Sequence, residues 1–363
     1  MVNFGRSGLR RRSTKSLVNL CLCAVAFTAG SSAIRLAAQG SATPTLHVYA
    51  NLVQVPTLVL SPTRGRIAPV APGRFWISID TGPFFRATHV RPEGDDPISL
   101  SIPVDVRGSE AKLLPNLDEA IANLAPTSLH PKDHVSIYVL DCSLIRYAND
   151  IPSESAPLKH AVSSALTAWT GRLQDRRGPD CRLPMHLWDA LAYMTSKLYS
   201  LPGRRVVLAM TDGSDTGSTH TWNELTKFAQ ATGVAIFGLS EGASLSERLL
   251  YRKQRHEDFF NSVCELSGGM VLFAGDTHVA DTLKSFTAML RERYIVEFPR
   301  PLNGTPGPHG LQIKVEGGQN FIRSTGISFP PADPALLADP NTIPQDPSRA
   351  PVQGSRRILA DPR

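Results

Sequence analysis

The stretch "PVDVRGSEAKLL" (residues 103–114) sets a carboxylate, Asp105, a guanidinium, Arg107, and a hydroxyl, Ser109, at alternate positions just past an apolar run. A second carboxylate, Asp212, ends another apolar run in "RRVVLAMTDGSDTGS". Carboxylates at strand ends, joined by loop hydroxyls and water, can build the octahedral oxygen shell of Mg²⁺. The metal reading therefore starts from the two carboxylates, Asp105 and Asp212. Arg107 offers a different chemistry. Its side chain is always protonated, and its planar fork of donors can reach two carboxylates at once. In that reading Arg107 replaces the cation and bridges Asp105 and Asp212. A third reading turns Arg107 to solvent and leaves the loop without chemistry.

Positioning two such carboxylates requires an α/β scaffold, and the pattern from residue 98 onward supplies one. "ISLSIPVDV", "HVSIYVLD" (134–141), "RRVVLAMTD" (204–212), "VAIFGLS" (234–240) and "MVLFA" (270–274) are apolar runs of strand length. Helical spacing lies between them: Leu113, Leu117, Ala120, Ile121 and Leu124; residues 154–169 and 187–199; a helix opened by a Thr221–Glu224 capping box; residues 257–267; and a stripe of Val279, Leu283, Phe286 and Leu290. Strands that are apolar throughout and alternate with helices predict a doubly wound, mostly parallel sheet. Its ligand edge lies beyond the carboxyl ends of the strands, where strand order reverses. Pro103 inside the first strand removes a ladder hydrogen bond, so the strand is expected either to bulge there or to start its regular pairing earlier. Asp189, in "LWDAL", reads as an exposed helical residue.

The flanks are β-rich. "LHVYANLVQVPTLVLS" reads as strand, and "RFWISIDTGPFFRATHV" as a hairpin turning at Asp80-Thr81-Gly82-Pro83. "RYIVEFP", "GLQIKVEG" and "QNFIRSTGISF" follow the α/β region. The predicted organisation is an N-terminal segment 1–39, N-terminal strands 40–97, an α/β domain 98–292, C-terminal strands 293–329 that pack with the N-terminal ones as an accessory β domain, and a tail 330–363. The tail holds eight prolines with no apolar periodicity and is predicted to be disordered.

Composition narrows the function. The chain has 363 residues and a formal charge of +6, from 38 Lys and Arg against 32 Asp and Glu. Six of those cations, and no acid, fall within residues 1–39. The remainder is balanced, so a nucleic-acid partner, which needs a basic face, is not expected. Residues 1–39 have the form of an export signal: a basic start, an apolar stretch Leu17–Gly30 and then Ser31-Ser32-Ala33. The alternative is an uncleaved anchor; no membrane span is expected after signal removal. The expected location is extracytoplasmic, periplasmic or secreted. Of the cysteines beyond the signal, Cys142 and Cys181 fall in loops and form the preferred disulfide pair, whereas Cys264 lies in a helical pattern as a small apolar residue. No zinc-ligand spacing, P-loop, dinucleotide loop or serine-hydrolase order is present, so the chain is not expected to be an enzyme.

The order of these elements resembles the von Willebrand factor type A domain. That family holds a divalent cation with an Asp-x-Ser-x-Ser loop, a distant Thr and a strand-end Asp, and the cation then takes an acidic ligand. Here "DVRGS" supplies Asp105 and Ser109, but Arg107 stands where the first Ser would be. "MHLWDAL" places Met185 where the Thr would be, and "TDGSDTG" supplies Asp212. The series "ANLVQVPTLVLS", hairpin, "DDPISLSIPVDVRGS", "VVLAMTDGSDTGS" and "RERYIVEFPRP" is most similar to exported von Willebrand factor type A-related proteins typical of acidobacteria. The resemblance spans about residues 46–329. It implies an adhesion or protein-interaction module, with an unidentified protein or surface polymer as partner. With two ligand positions altered, no cofactor is expected; the alternative is a metal-dependent module holding Mg²⁺ or Mn²⁺.

Overall fold

Every residue from Ile98 to Asp105 is buried, as a strand must be when both faces of its sheet are covered. The computed structural model describes residues 47–48, 52–106, 114–141, 143–174, 184–242, 258–275, 277–302, 304–331, 334–338, 342–343 and 346–355. In chain order the strands are β1 (His47–Val48), β2 (Leu52–Leu60), β3 (Phe75–Ile79), β4 (Phe85–Arg86), β5 (His89–Pro92), β6 (Ile98–Asp105), β7 (His134–Leu140), β8 (Leu144–Pro152) and β9 (Arg204–Met210). Then come β10 (Ala235–Glu241), β11 (Val271–Ala274), β12 (Tyr294–Pro299), β13 (Gly307–His309), β14 (Leu311–Val315), β15 (Phe321–Ser324), β16 (Ile327–Phe329) and β17 (Thr342–Ile343). The helices are α1 (Leu117–Ala122), α2 (Leu124–Thr127), α3 (Ser155–Gln174), α4 (Leu187–Tyr199), α5 (Trp222–Thr232), α6 (Phe259–Leu266), α7 (Val279–Arg291) and α8 (Pro334–Ala338).

The central sheet has the order β11-β10-β9-β6-β7-β8, parallel except for the antiparallel edge strand β8. Alternation along β9 divides the core. Val206, Leu208 and Met210 face α1, α3 and α7, where Ile121, Val162, Leu283 and Phe286 pack. Val207 and Ala209 face α4, α5 and α6, where Leu191, Leu225, Val263 and the fully buried Cys264 pack. The capping box forms as expected, with Thr221 accepting from the Glu224 amide, and Gly233 closes α5 in the left-handed conformation.

Pro103 interrupts pairing without shifting it. Toward β9 the ladder runs from Ser101 opposite Val207 to Val104 opposite Met210, in one register across the gap. The missing amide therefore costs a local hydrogen bond, and no bulge forms there. Strand β8 was not legible from pattern. Its residues are only half-buried, and its pairing with β7 shifts register between Val135 and Tyr138, so neither period appears cleanly.

The flanking strands join one another. β2 lies between β12 and β15, with β5 outside β12, all antiparallel. β3 pairs with β14 and with β4. Val55, Phe75, Ile77, Ile79, Val296 and Phe298 fill the space between these sheets. The hairpin turns at Asp80 and Thr81, both at positive φ (48° and 62°), where the Gly82 amide donates to the Ile79 carbonyl at 2.9 Å in a tight β-turn. The tail departs from expectation at residues 346–355. Pro351 is buried, and the Gly354 amide donates to the Ile79 carbonyl at 3.0 Å. Backbone contact and single hydrogen bonds hold this segment, which apolar periodicity cannot reveal.

A cluster of buried charges joins these layers at the amino end of β6. Arg293 donates twice to Glu93, at 2.7 and 2.8 Å, and both side chains are essentially inaccessible. Arg204 bonds Asp96 at 2.7 Å. Arg291 pairs with the fully buried Asp133, and also donates to the Asp96 carbonyl at 2.8 Å. Asp133 itself accepts from the Ile98 amide at 2.9 Å. Truncating one member of a buried pair strands the other charge. Glu93→Ala is therefore expected to lower unfolding free energy by about 3–5 kcal/mol. The double change Glu93→Met with Arg293→Met should recover most of that loss, measured by urea denaturation.

Candidate functional site

The chain leaves β6 for β7 on one side of the sheet and later enters β9 on the other. The carboxyl ends of β6 and β9 thus form the switch point at which an α/β sheet accommodates ligands. Asp105 ends β6, and Thr211 and Asp212 follow β9. The sequence reading placed Asp105 and Asp212 at one edge, and the fold brings their segments together there.

Asp105 is 1 % exposed and accepts the Thr211 hydroxyl at 3.0 Å. The Gly213 amide donates to that same hydroxyl oxygen at 3.1 Å. Asp212 accepts from the Ser214 amide at 2.8 Å, the short-range turn that Asp favours. Gly213 has φ +83°, and a Cβ there would lie 2.6 Å from the Phe260 side chain, so glycine is needed at this point. Arg107 and Ser109 lie outside the described residues, as do both members of the expected Cys142–Cys181 pair.

Met185 is 8 % exposed and belongs to the apolar core under α4. Its backbone clamps the opposite loop: the Met185 amide donates to the Thr216 hydroxyl at 2.8 Å, and the Thr216 and Gly217 amides both donate to the Met185 carbonyl at 3.0 Å. Asp215 caps α4, accepting from the Leu187 amide at 2.7 Å and the Trp188 amide at 3.3 Å. It also accepts the Ser218 hydroxyl.

Asp189 is not the solvent-facing helical residue expected from sequence. It accepts from the Thr219 amide at 2.8 Å, the His220 amide at 3.0 Å and the His220 ring at 2.6 Å. Partial burial pushes its carboxyl upward, but these three hydrogen bonds outweigh burial and hold its pKa at about 2. Asp215 and Asp189 were missed as a pair because they join helix α4 to a loop some 28–31 residues further along the chain. No local spacing signals such a contact.

Around Asp105 and Asp212, the Thr211 hydroxyl donates to Asp105, the Thr216 hydroxyl accepts from the Met185 amide and the Ser218 hydroxyl donates to Asp215. Among the described residues, no group of three or more His, Cys, Asp or Glu could hold a metal ion. Mg²⁺ tolerates little departure from an octahedron of oxygens.

Two hollows flank the amino end of α4. One, of about 510 Å³, is lined by Tyr138, Leu140, Asp141, His186, Asp189 and Tyr193. The other, of about 580 Å³, includes Trp188, Thr216, His220, Trp222 and Phe259. Trp222 and Phe259 stack at 5.2 Å, and Tyr138 meets Tyr193 edge-on at 6.4 Å. Aromatic walls beside fixed polar groups are the composition of protein-recognition surfaces.

No protein-family model matches the chain, and no curated protein matches it. Solved structures similar to it include proximal thread matrix protein 1 from the mussel byssus, with a TM-score of 0.40 and 10% identity, covering 66% of this chain and 50% of that one. The chain therefore spans about half the length of that protein. The von Willebrand factor domain of the type V pili tip protein Mfa5 from Porphyromonas gingivalis is similar at a TM-score of 0.36 and 8% identity, over 54% of this chain and 95% of that one. The amino-terminal domain of TFIIH p34 is similar at 0.36 and 13% identity, over 54% and 97%. Among the described residues, no helix is long and apolar enough to cross a membrane.

Two outcomes follow from this geometry. Asp215→Ala removes the cap of α4 and is expected to cost about 1 kcal/mol, read from denaturant midpoints. Asp189 has a folded pKa of about 2, below its unfolded value of 3.8. Its stabilisation is thus full above the unfolded value and is lost as pH falls through the folded one. Asp189→Asn is expected to flatten the decline in melting temperature between pH 4 and pH 2.

Proposed function

We propose that this chain is an exported protein-interaction module, resembling the von Willebrand factor type A domain, that grips its partner at the carboxyl edge of the six-stranded sheet without a divalent cation. One observation carries the reading. Met185, at the position of the family's ligating Thr, is buried in the core, and its backbone occupies the Thr216 hydroxyl across the loop. A position that supplies a ligand in the metal-dependent relatives here supplies packing. The two aromatic-walled hollows beside α4 offer the anchoring pockets that a metal-free contact needs. Export rests on the basic-then-apolar order of residues 1–39, and the partner class, a protein or surface polymer, rests on the family resemblance.

In this reading Arg107 is the standing counter-charge for Asp105 and Asp212. Asp105 is 1 % exposed, and a second carboxylate at the same edge favours a positive neighbour. The second reading, a metal-dependent adhesion module, draws support from the retention of both carboxylates at the switch point.

Thermal unfolding of the purified chain in EDTA, and then in millimolar Mg²⁺ or Mn²⁺, separates the two. The metal-free reading expects coincident curves. A ligand at 100 times its dissociation constant would add about 2.7 kcal/mol, a rise of roughly 5–10 °C. A rise of that size, abolished by Asp212→Ala, would establish the second reading. Arg107→Ala is expected to destabilise by about 3 kcal/mol, because it strands a buried charge. An effect within about 0.5 kcal/mol, the range of ordinary surface changes, would remove the counter-charge role.

A further inference from the structure

Outside the loops at the carboxyl edge of the sheet, residues 346–355 cross Asp80 and His309, and beside them lies an open cleft of about 710 Å³ walled by this segment and by Pro301, Thr305 and Pro308. The floor is a built polar cluster. Asp80 and His309 side chains are 2 % and 3 % exposed and lie 2.6 Å apart. The second ring nitrogen of His309 lies 2.7 Å from the Thr305 carbonyl, and the Phe329 ring covers the imidazole at 4.5 Å. Nδ1 of His309 thus faces Asp80 and also lies 3.0 Å from the Gln353 amide nitrogen, while Nε2 faces a carbonyl. Asp80 also accepts from the Gly310 amide at 2.8 Å.

The tail segment reads this floor. Gln353 donates to Asp80 at 2.7 Å, and the Gly354 amide donates to the Ile79 carbonyl at 3.0 Å. Pro351 is buried, while its neighbour Val352 is 64 % exposed. Ala350, just before Pro351, has φ −72° and ψ 129°, the polyproline conformation used by Pro-rich recognition segments. The crossing itself demands glycine on both sides. A Cβ on Gly82 would lie 2.6 Å from the Gly354 nitrogen and 2.9 Å from the Val352 carbonyl oxygen. A Cβ on Gly354 would run into the Asp80 carbonyl. One buried proline, one amide side chain on a buried carboxylate and one glycine at backbone contact are the marks of sequence-selective peptide recognition.

We propose that the seat of residues 350–354 over Asp80 and His309 is a peptide-recognition groove for extended Pro-x-Gln-Gly segments, occupied in cis by this chain's own residues as a displaceable strap. A partner carrying such a segment would enter by displacing the strap, because each contact involves one short stretch of chain and is reproduced by any segment of the same order. The site is separate from the loops at the carboxyl edge of the sheet and does not depend on what they bind.

The test uses the full chain and a fluorescein-labelled synthetic peptide with the sequence of residues 346–355. Gly354→Ala sets a methyl group against the Asp80–Gly82 backbone and ejects the strap without touching the groove. Gln353→Ala is a milder variant that removes the amide side chain from Asp80 and His309. The Gly354→Ala chain is expected to bind the peptide about tenfold or more tightly than the wild type, whose groove is already filled. Gln353→Ala should give an intermediate gain, and a peptide with Ala in place of its Gln should lose the binding. In the wild-type chain the Gly354 amide should exchange with deuterium more slowly than an open-chain amide. Equal binding to wild type and Gly354→Ala overturns the proposal. So does the absence of binding to either variant when circular dichroism shows them folded, or an unprotected Gly354 amide in the wild type.

Discussion

The structure depends first on the buried charges at the amino end of β6. Glu93 and Asp133 are wholly inaccessible, and a carboxylate in that position is tolerable only when paired and hydrogen-bonded. Their partners, Arg293 and Arg291, stand at the junction between α7 and β12. Arg204, at the start of β9, joins the same cluster through Asp96. Four chain segments far apart in sequence are therefore tied at one point, where the parallel sheet meets the antiparallel strands. Apolar packing would hold each layer together; the directional charge pairs fix how the strands enter it. They pin the amino ends of β6 and β9, and so set what the carboxyl ends of these strands present.

At that opposite end the governing interaction is hydrogen bonding between the 211–221 loop and the start of α4. Asp215 caps the helix, the Met185 and Thr216 backbones clamp one another, and Asp189 gathers the amides of Thr219 and His220. The consequence is a loop whose polar groups are largely committed inward. Aromatic pairs stand on both sides of α4, Tyr138 with Tyr193 and Trp222 with Phe259.

Much of the scaffold was legible in advance, for identifiable reasons. The buried strands are apolar at nearly every position, and the helices carry clear stripes, so pattern located β6, β7, β9, β10, β11 and the helices between them. The Thr221–Glu224 box and the Asp80 turn were also legible, because each is written within a few residues. β8 was not, since a half-exposed edge strand with shifted register shows no clean period. Nor was the seat of residues 346–355, where two glycines and one proline act through backbone contact. Asp189 was misjudged because its partners are the amides of a distant loop.

Sequence by itself determined the strand–helix alternation, the burial of the central sheet and the presence of two carboxylates at strand ends. Those properties follow from hydrophobic period and local turn chemistry, which act over neighbouring residues. Only the tertiary structure decided that Met185 packs inward, that Asp189 and Asp215 brace one loop, and that a Pro-rich tail meets a buried Asp–His pair. Each of these joins residues that are distant in the chain, and a hydrogen bond between distant residues leaves no period in the sequence.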